Sequence, residues 1–199
     1  MKKILVTLAL VAMTTGAFAQ SFGVRFGANL NDIAGIGDTD HSAINLGAYA
    51  GAVVDLALPV ANFGLRIEPA FSLQGASRKG ELVVGTKFED TYNSSYVNVP
   101  FYAEYKLLGG NLSLMAGPQL GFCVGMEHKN VLGSTSATTK YDSDDINTFD
   151  FGVGFGISYM ITSDVAIDLR YNLGLGNISK ADDTTWQNRV ISIGAAYLF

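Results

Sequence analysis

Ala166–Leu175 reads AIDLRYNLGL. Its odd-numbered positions, Ile167, Leu169, Tyr171, Leu173 and Leu175, are apolar, and its even-numbered positions include Asp168, Arg170 and Asn172. Alternation this strict marks a strand with one oily face and one charged face. What each face meets decides the fold. A water-soluble sheet turns its charges outward, whereas a transmembrane barrel turns its oily face to acyl chains and its polar face to the lumen.

The same period recurs in Phe22–Leu30, Ile44–Leu58, Phe63–Gln74, Tyr96–Leu108, Leu112–Met126, Phe149–Ile161, Val165–Gly176 and Val190–Phe199. That gives about eight strands, most of them near or above the roughly 9–11 residues that cross a bilayer when tilted. Their connections alternate in length. Pro59–Asn62, Gly109–Asn111 and Thr162–Asp164 are tight turns, while Asn31–Ala43, Gly75–Ser95, Glu127–Thr148 and Asn177–Arg189 are long, polar and read as loops. The pattern predicts an all-β fold: a single up-and-down antiparallel transmembrane β-barrel. The tight turns and both termini are expected on the periplasmic side of a Gram-negative outer membrane, with the long loops outside.

Three features favour the membrane barrel over a secreted barrel with an oily interior. The apolar face carries bulky residues on most strands, and the opposite face is rich in glycine, which suits a crowded lumen. Tyr and Phe recur near strand ends, as in interfacial girdles. The charged face balances its signs, with Arg25, Arg66, Lys106 and Arg170 against Asp55, Glu68, Glu104, Asp150 and Asp168. Confined charges need such pairing, because an unpaired one loses hydration without compensation. Counting from the turns, Arg25, Asp55, Arg66, Glu68, Glu104, Lys106, Asp168 and Arg170 all fall in the short-turn half, where a charge-paired plug is expected. Smaller or neutral lumen residues lie above it, Asn29, Ser72, Gly125 and Asn172 among them, and there a shallow water-filled cup is expected. Pro100 and Pro118 lie inside strands and are expected to require bulges.

The N-terminus MKKILVTLALVAMTTGAFAQ has the layout of a secretory signal. Lys2 and Lys3 precede a short apolar run, Ile4–Met13, and an A-x-A site at Ala17–Ala19. Cleavage between Ala19 and Gln20 would divide the chain into a signal peptide, 1–19, and a barrel, 20–199. Without Lys2 and Lys3, eleven of the 13 basic residues face 18 acidic ones, a net charge of about −7, which argues against a nucleic-acid partner. Cys123 is alone, so no internal disulfide is expected. The sequence points to no cofactor and no metal centre.

YVNVPFYAEYKL (Tyr96–Leu107), AGPQLGF (Ala116–Phe122), FDFGVGFGISYMI followed by DLRYNLGLGNI (Phe149–Ile178), and the terminal VISIGAAYLF together resemble the porin-family outer-membrane β-barrel domain, also called PorT-like. The resemblance implies a small outer-membrane barrel with no catalytic residues. It also implies that Phe199 is the terminal aromatic read by the barrel assembly machinery. The expected partners are that machinery, outer-membrane lipids, and an extracellular ligand at the loops.

The leading functional expectation is therefore a non-enzymatic, structural or surface-binding barrel with a largely filled lumen. A small-solute porin is the alternative. A binding module would use the acidic loop residues Asp38, Asp40, Glu89, Asp90, Asp142, Asp144, Asp145, Asp182 and Asp183, and Tyr141–Asp145 could take a divalent cation. An enzyme reading rests on His128, Ser134 or Ser136, and Asp142 sharing one loop. His41 and His128 are otherwise expected to be plain loop residues, and Trp186 an anchor at the outer interface.

Overall fold

The computed structural model describes residues 19–35, 42–81, 87–141, 144–180 and 185–199. The signal segment up to Phe18 lies outside them, as do Asp38, Asp40, His41, Asp142, Asp182 and Asp183. The backbone of Ala19 and Gln20 opens the first strand.

The strands are β1 (Ala19–Ala34), β2 (Ser42–Ala43), β3 (Asn45–Ala57), β4 (Phe63–Ile67), β5 (Ala70–Glu81), β6 (Lys87–Leu107), β7 (Leu112–Leu132), β8 (Thr135–Tyr141), β9 (Phe149–Met160), β10 (Val165–Gly174) and β11 (Gln187–Leu198). β2 and β3 share β5 as a neighbour, β4 and β5 share β3 and β6, and β8 and β9 share β7; counted so, the wall is a ring of 8 antiparallel strands, or staves. The ring closes where β1 pairs with β11, from Gly23↔Leu198 to Ala34↔Gln187. Closure leaves no open edge in the wall, as a bilayer demands of a spanning sheet.

Local chemistry sets the turns. At the first, Asn62 takes a positive φ of 64° and Phe63 N–H returns to the Val60 carbonyl at 3.1 Å. At the second, Leu108–Gly110 forms a 3-10 turn with three successive positive φ values, two of them on glycine. At the third, the Thr162 hydroxyl accepts from the backbone N–H of Asp164 and Val165 at 3.3 and 3.1 Å. The start of β1 and the last residue of the chain meet on this rim, where Phe199 N–H bonds the Phe22 carbonyl at 2.8 Å.

The prolines behave differently from the sequence expectation. The β6–β7 ladder skips Phe101 and Tyr102 but holds one register from Pro100↔Gln119 to Ala103↔Ala116, so neither Pro100 nor Pro118 shifts it. The bulge sits higher, where Ser95 pairs with Gly125 but Tyr96 pairs with Cys123, leaving Val124 extra. Val124 and Gly125 both face outward as a result, and Met126 turns into the lumen in place of Gly125.

Two expected loops are partly sheet. β5 runs on to Glu81, β6 begins at Lys87, β7 continues to Leu132, and β8 returns beside it. The polar composition of Gly75–Ser95 and Glu127–Thr148 suggested loops, but a ribbon wetted by water needs no apolar alternation. Cross-strand pairs stabilise it instead. Lys79 bonds Glu89 at 2.9 Å, and Asp90 meets His128 at 2.9 Å and Asn130 at 2.6 Å.

Candidate functional site: the charged lumen

Alternation aims one side chain in two into the barrel. Asp168 and Arg170 of the decisive stretch are buried, while Ile167 and Leu169 are about half exposed on the outer wall (49% and 50%). Arg25 enters from β1 and Glu68 from the junction of β4 and β5. That junction exists because Pro69 lacks an N–H for the ladder. Glu68 N–H instead reaches the Pro100 carbonyl at 3.2 Å, and the Pro69 carbonyl accepts from Ala52 at 2.9 Å.

These four residues form one buried cluster. Arg25 contacts Glu68 at 2.6 Å and Asp168 at 2.8 Å, and Arg170 contacts Glu68 at 2.9 Å and Asp168 at 3.7 Å. Each acid thus lies between the same two guanidiniums. Two tyrosines cover the cations. Arg25 lies 4.5 Å from the Tyr49 ring centroid and donates to its hydroxyl at 3.1 Å, and Arg170 lies 5.6 Å from the Tyr102 ring. Glycine makes the room: a Cβ on Gly156 would stand 2.9 Å from Arg170 Nε, and one on Gly154 would stand 2.7 Å from the Tyr102 hydroxyl.

The remaining predicted charges form a second group nearer the turns. Arg66 forks onto Asp55, with Nε at 2.6 Å and Nη2 at 2.8 Å. Glu104 lies 3.4 Å from Arg66 and 3.6 Å from the half-buried Lys106. Beside these groups Val53, Ala166 and Ala196 make a small apolar cluster. Above the quartet amides and hydroxyls predominate, with Asp150 and Arg78 the buried charges among them. Asn29 donates to Ser72 at 2.8 Å and accepts from Ser192 at 2.7 Å, and the Tyr102 hydroxyl donates to Asn172 at 3.0 Å. Asp150 accepts from Asn188 at 3.0 Å.

The family model for the outer membrane protein beta-barrel domain matches residues 18–180. The chain belongs to that family. Among solved structures it resembles Ail, the attachment invasion locus protein of Yersinia pestis, with 15% identity, a TM-score of 0.50, and coverage of 90% of this chain and 98% of that one. Neisserial surface protein A is similar at 15% identity and a TM-score of 0.50, covering 89% and 97%. A major outer membrane protein of Thermus thermophilus follows at 16% and 0.49, covering 90% and 98%. No curated protein sequence matches. At these identities the likeness to Ail and to Neisserial surface protein A shows the fold alone.

As an outer-membrane barrel, the chain turns its exposed Phe, Leu, Ile and Val to lipid. Along β7 the apolar band runs from Leu112, opposite Tyr159, to Phe122, opposite Phe149. Ten steps of about 3.3 Å, tilted roughly 40°, rise about 25 Å, the height of the apolar band in such barrels. Phe63 and Tyr105 pair at 4.8 Å near one end of the band, and Phe122 and Phe149 at 5.5 Å near the other.

The mouth differs from the expected cup. Ile33, Ala76, Tyr96, Cys123, Met126, Ile146 and Ile178 bury themselves together, with Tyr92, Tyr141 and Trp186 packed against them. Ile146 and Ile178 come from loops joined by an Ile146↔Ser179 bridge. Trp186 meets Tyr92 edge-on at 5.7 Å within this group, so it packs at the mouth and not as an outer anchor. His128 is likewise not a plain loop residue. It lies on β7, stacked on Tyr92 at 4.2 Å and bonded to Asp90. It stands opposite Thr139, while Ser136 stands opposite Val131, so Asp90 rather than a serine takes its ring nitrogen. Sequence parity put Tyr49 and Tyr102 on the lumen side as interior filling and Asn29 and Ser192 on the same face, but assigned none of them a partner. Their shared parity and depth with the arginines was the signal available.

Proposed function

We propose that the protein is a non-enzymatic outer-membrane barrel whose lumen is filled by its own side chains, leaving binding to the long-loop face. The quartet of Arg25, Glu68, Asp168 and Arg170 supports this reading most directly, because it bridges staves on different sides of a narrow lumen. An interior of eight strands is just wide enough for side chains to fill. The cavity bordered by Arg25, Asn29, Glu68 and Tyr102 has a volume of about 30 Å³, room for a few waters, at about 10–15 Å³ each.

In this reading 1–19 is the cleaved signal, the PorT-like affiliation holds, and Phe199 is the terminal aromatic taken by the assembly machinery. The termini face the periplasm, and the ribbon of β5–β8 stands outside the cell. Its β8 edge, exposed from Thr135 to Lys140, then offers a surface for an extracellular ligand.

Liposomes carrying the purified protein are expected to show no swelling in small sugars above that of empty liposomes. Swelling at the rate of a large porin would restore the channel alternative. For the orientation, a Ser136→Cys variant is expected to react with a membrane-impermeant maleimide on intact cells. Reaction only after the outer membrane is opened would reverse it.

A further inference from the structure

Five acids are buried among the described residues, and four of them, Asp55, Glu68, Glu104 and Asp168, each contact an arginine. Asp150 is the fifth. It stands on β9 opposite Gly121, and among the described residues no basic side chain pairs with it. Its Oδ2 accepts from the Asn188 amide at 3.0 Å, while its buried Oδ1 has no hydrogen-bond partner. The polar atoms beside it are also short of partners. Asn188 Oδ1 is buried without one, and so is the Tyr96 hydroxyl, which lies next to Asn188. Asp150 is 6% exposed, Asn188 5% and Tyr96 1%. Glycines frame the place. A Cβ on Gly176 would stand 2.7 Å from Asp150 Oδ1, and one on Gly174 would stand 3.0 Å from its Oδ2.

We propose that Asp150, Asn188 and Tyr96 hold a monovalent alkali-metal cation where the polar lumen meets the apolar cluster of the mouth. A buried charge is paired or coordinates a metal, and no arginine serves Asp150. Its carboxylate, an amide oxygen and a hydroxyl oxygen are hard ligands, suited to an alkali or alkaline-earth ion and not to a soft transition metal. A single carboxylate balances a single positive charge, whereas a divalent ion would leave a buried excess. Space the size of a missing Cβ fits a bare ion and not an organic ammonium. The bound ion would tie β9, β11 and β6 together directly beneath Ile146 and Ile178, which pack with Tyr96.

Urea unfolding in a non-ionic detergent tests the assignment, with choline chloride exchanged for sodium or potassium chloride at constant ionic strength. The midpoint is expected to rise with the alkali cation, as for a ligand bound by the folded state alone. The sodium NMR resonance is expected to broaden when the protein is added. Asp150→Asn, a neutral side chain of the same shape, is expected to lose both responses. Tyr96→Phe keeps the ring in its apolar cluster and is expected to weaken half-saturation about tenfold, as for one bond to a charged group. Asn188→Asp adds a second acid and is expected to shift the preference to calcium. Equal midpoints in choline and in both alkali salts, a rise that persists in Asp150→Asn, or a response of the unaltered protein to calcium alone would overturn the proposal.

Discussion

The two halves of the barrel interior solve the same packing problem with opposite chemistry. The turn-side half is built almost wholly from staves, and charges pair across it: the Arg25–Glu68–Asp168–Arg170 quartet and the Arg66–Asp55 fork. The long-loop half is built from staves and loops together. There Ile146 and Ile178 reach in to meet Tyr96, Cys123 and Met126. The quartet is fixed by the rigid wall, so its charges can be placed to meet one another. Loops do not fix positions as closely, and an apolar cluster tolerates that looseness because burial is non-directional. The contrast sets a shared charge network in the stave-built half against an apolar cluster in the loop-built half, where Arg78 and Asp150 are the charges buried beside it.

Removing one member of the quartet tests this most severely. Glu68→Ala leaves Arg25 and Arg170 with Asp168 as the one acid they share, and a loss of about 3–5 kcal/mol is expected, as for breaking a buried pair. Urea unfolding in detergent micelles measures it; a loss under about 1 kcal/mol would show that the charges are individually solvated and not a network. Ile178→Ala should cost less overall, about 2 kcal/mol, near the low end for deleting a buried Ile. Its effect should stay local: hydrogen exchange is expected to rise around residues 144–148 and 175–180 and to stay unchanged at Asp168 and Arg170. If exchange rose equally in both halves, the two regions would be one cooperative unit.

The smallest effect belongs to the ribbon above the band. There the hydrogen bond from Lys79 holds the Glu89 carboxyl below the usual carboxylate range, opposed by slight desolvation. A depressed folded value means that the pair's contribution is present above the ordinary pKa and is lost as pH falls through the depressed one. Both partners are largely exposed, so the pair is worth only about 0.2–0.5 kcal/mol. Lys79→Ala should remove that small acid-side dependence, measured as the difference between unfolding midpoints at neutral and acid pH.

The strand stretches were legible because side-chain direction on a strand has a period of two. Parity alone sends Arg25, Arg66, Glu68, Glu104, Asp168 and Arg170 to one face, and distance from a tight turn sets their depth. The same reasoning failed beyond Val124, because one extra residue reverses parity and neither proline marked the place. It also mistook the upper parts of β5–β8 for loops. A ribbon in water carries no apolar face, and composition says nothing about which backbone carbonyl a given N–H will find.

By itself the sequence determined the wall: how many times the chain crosses, which face meets lipid, and which charges turn inward. Those follow from local periodicity and turn chemistry. Only the tertiary structure decided which charge meets which, since Arg25 and Asp168 stand 143 residues apart in the chain. It alone also joined two loop isoleucines over the mouth and carried the ribbon past the band, because such contacts depend on register and loop path, which no single stretch encodes.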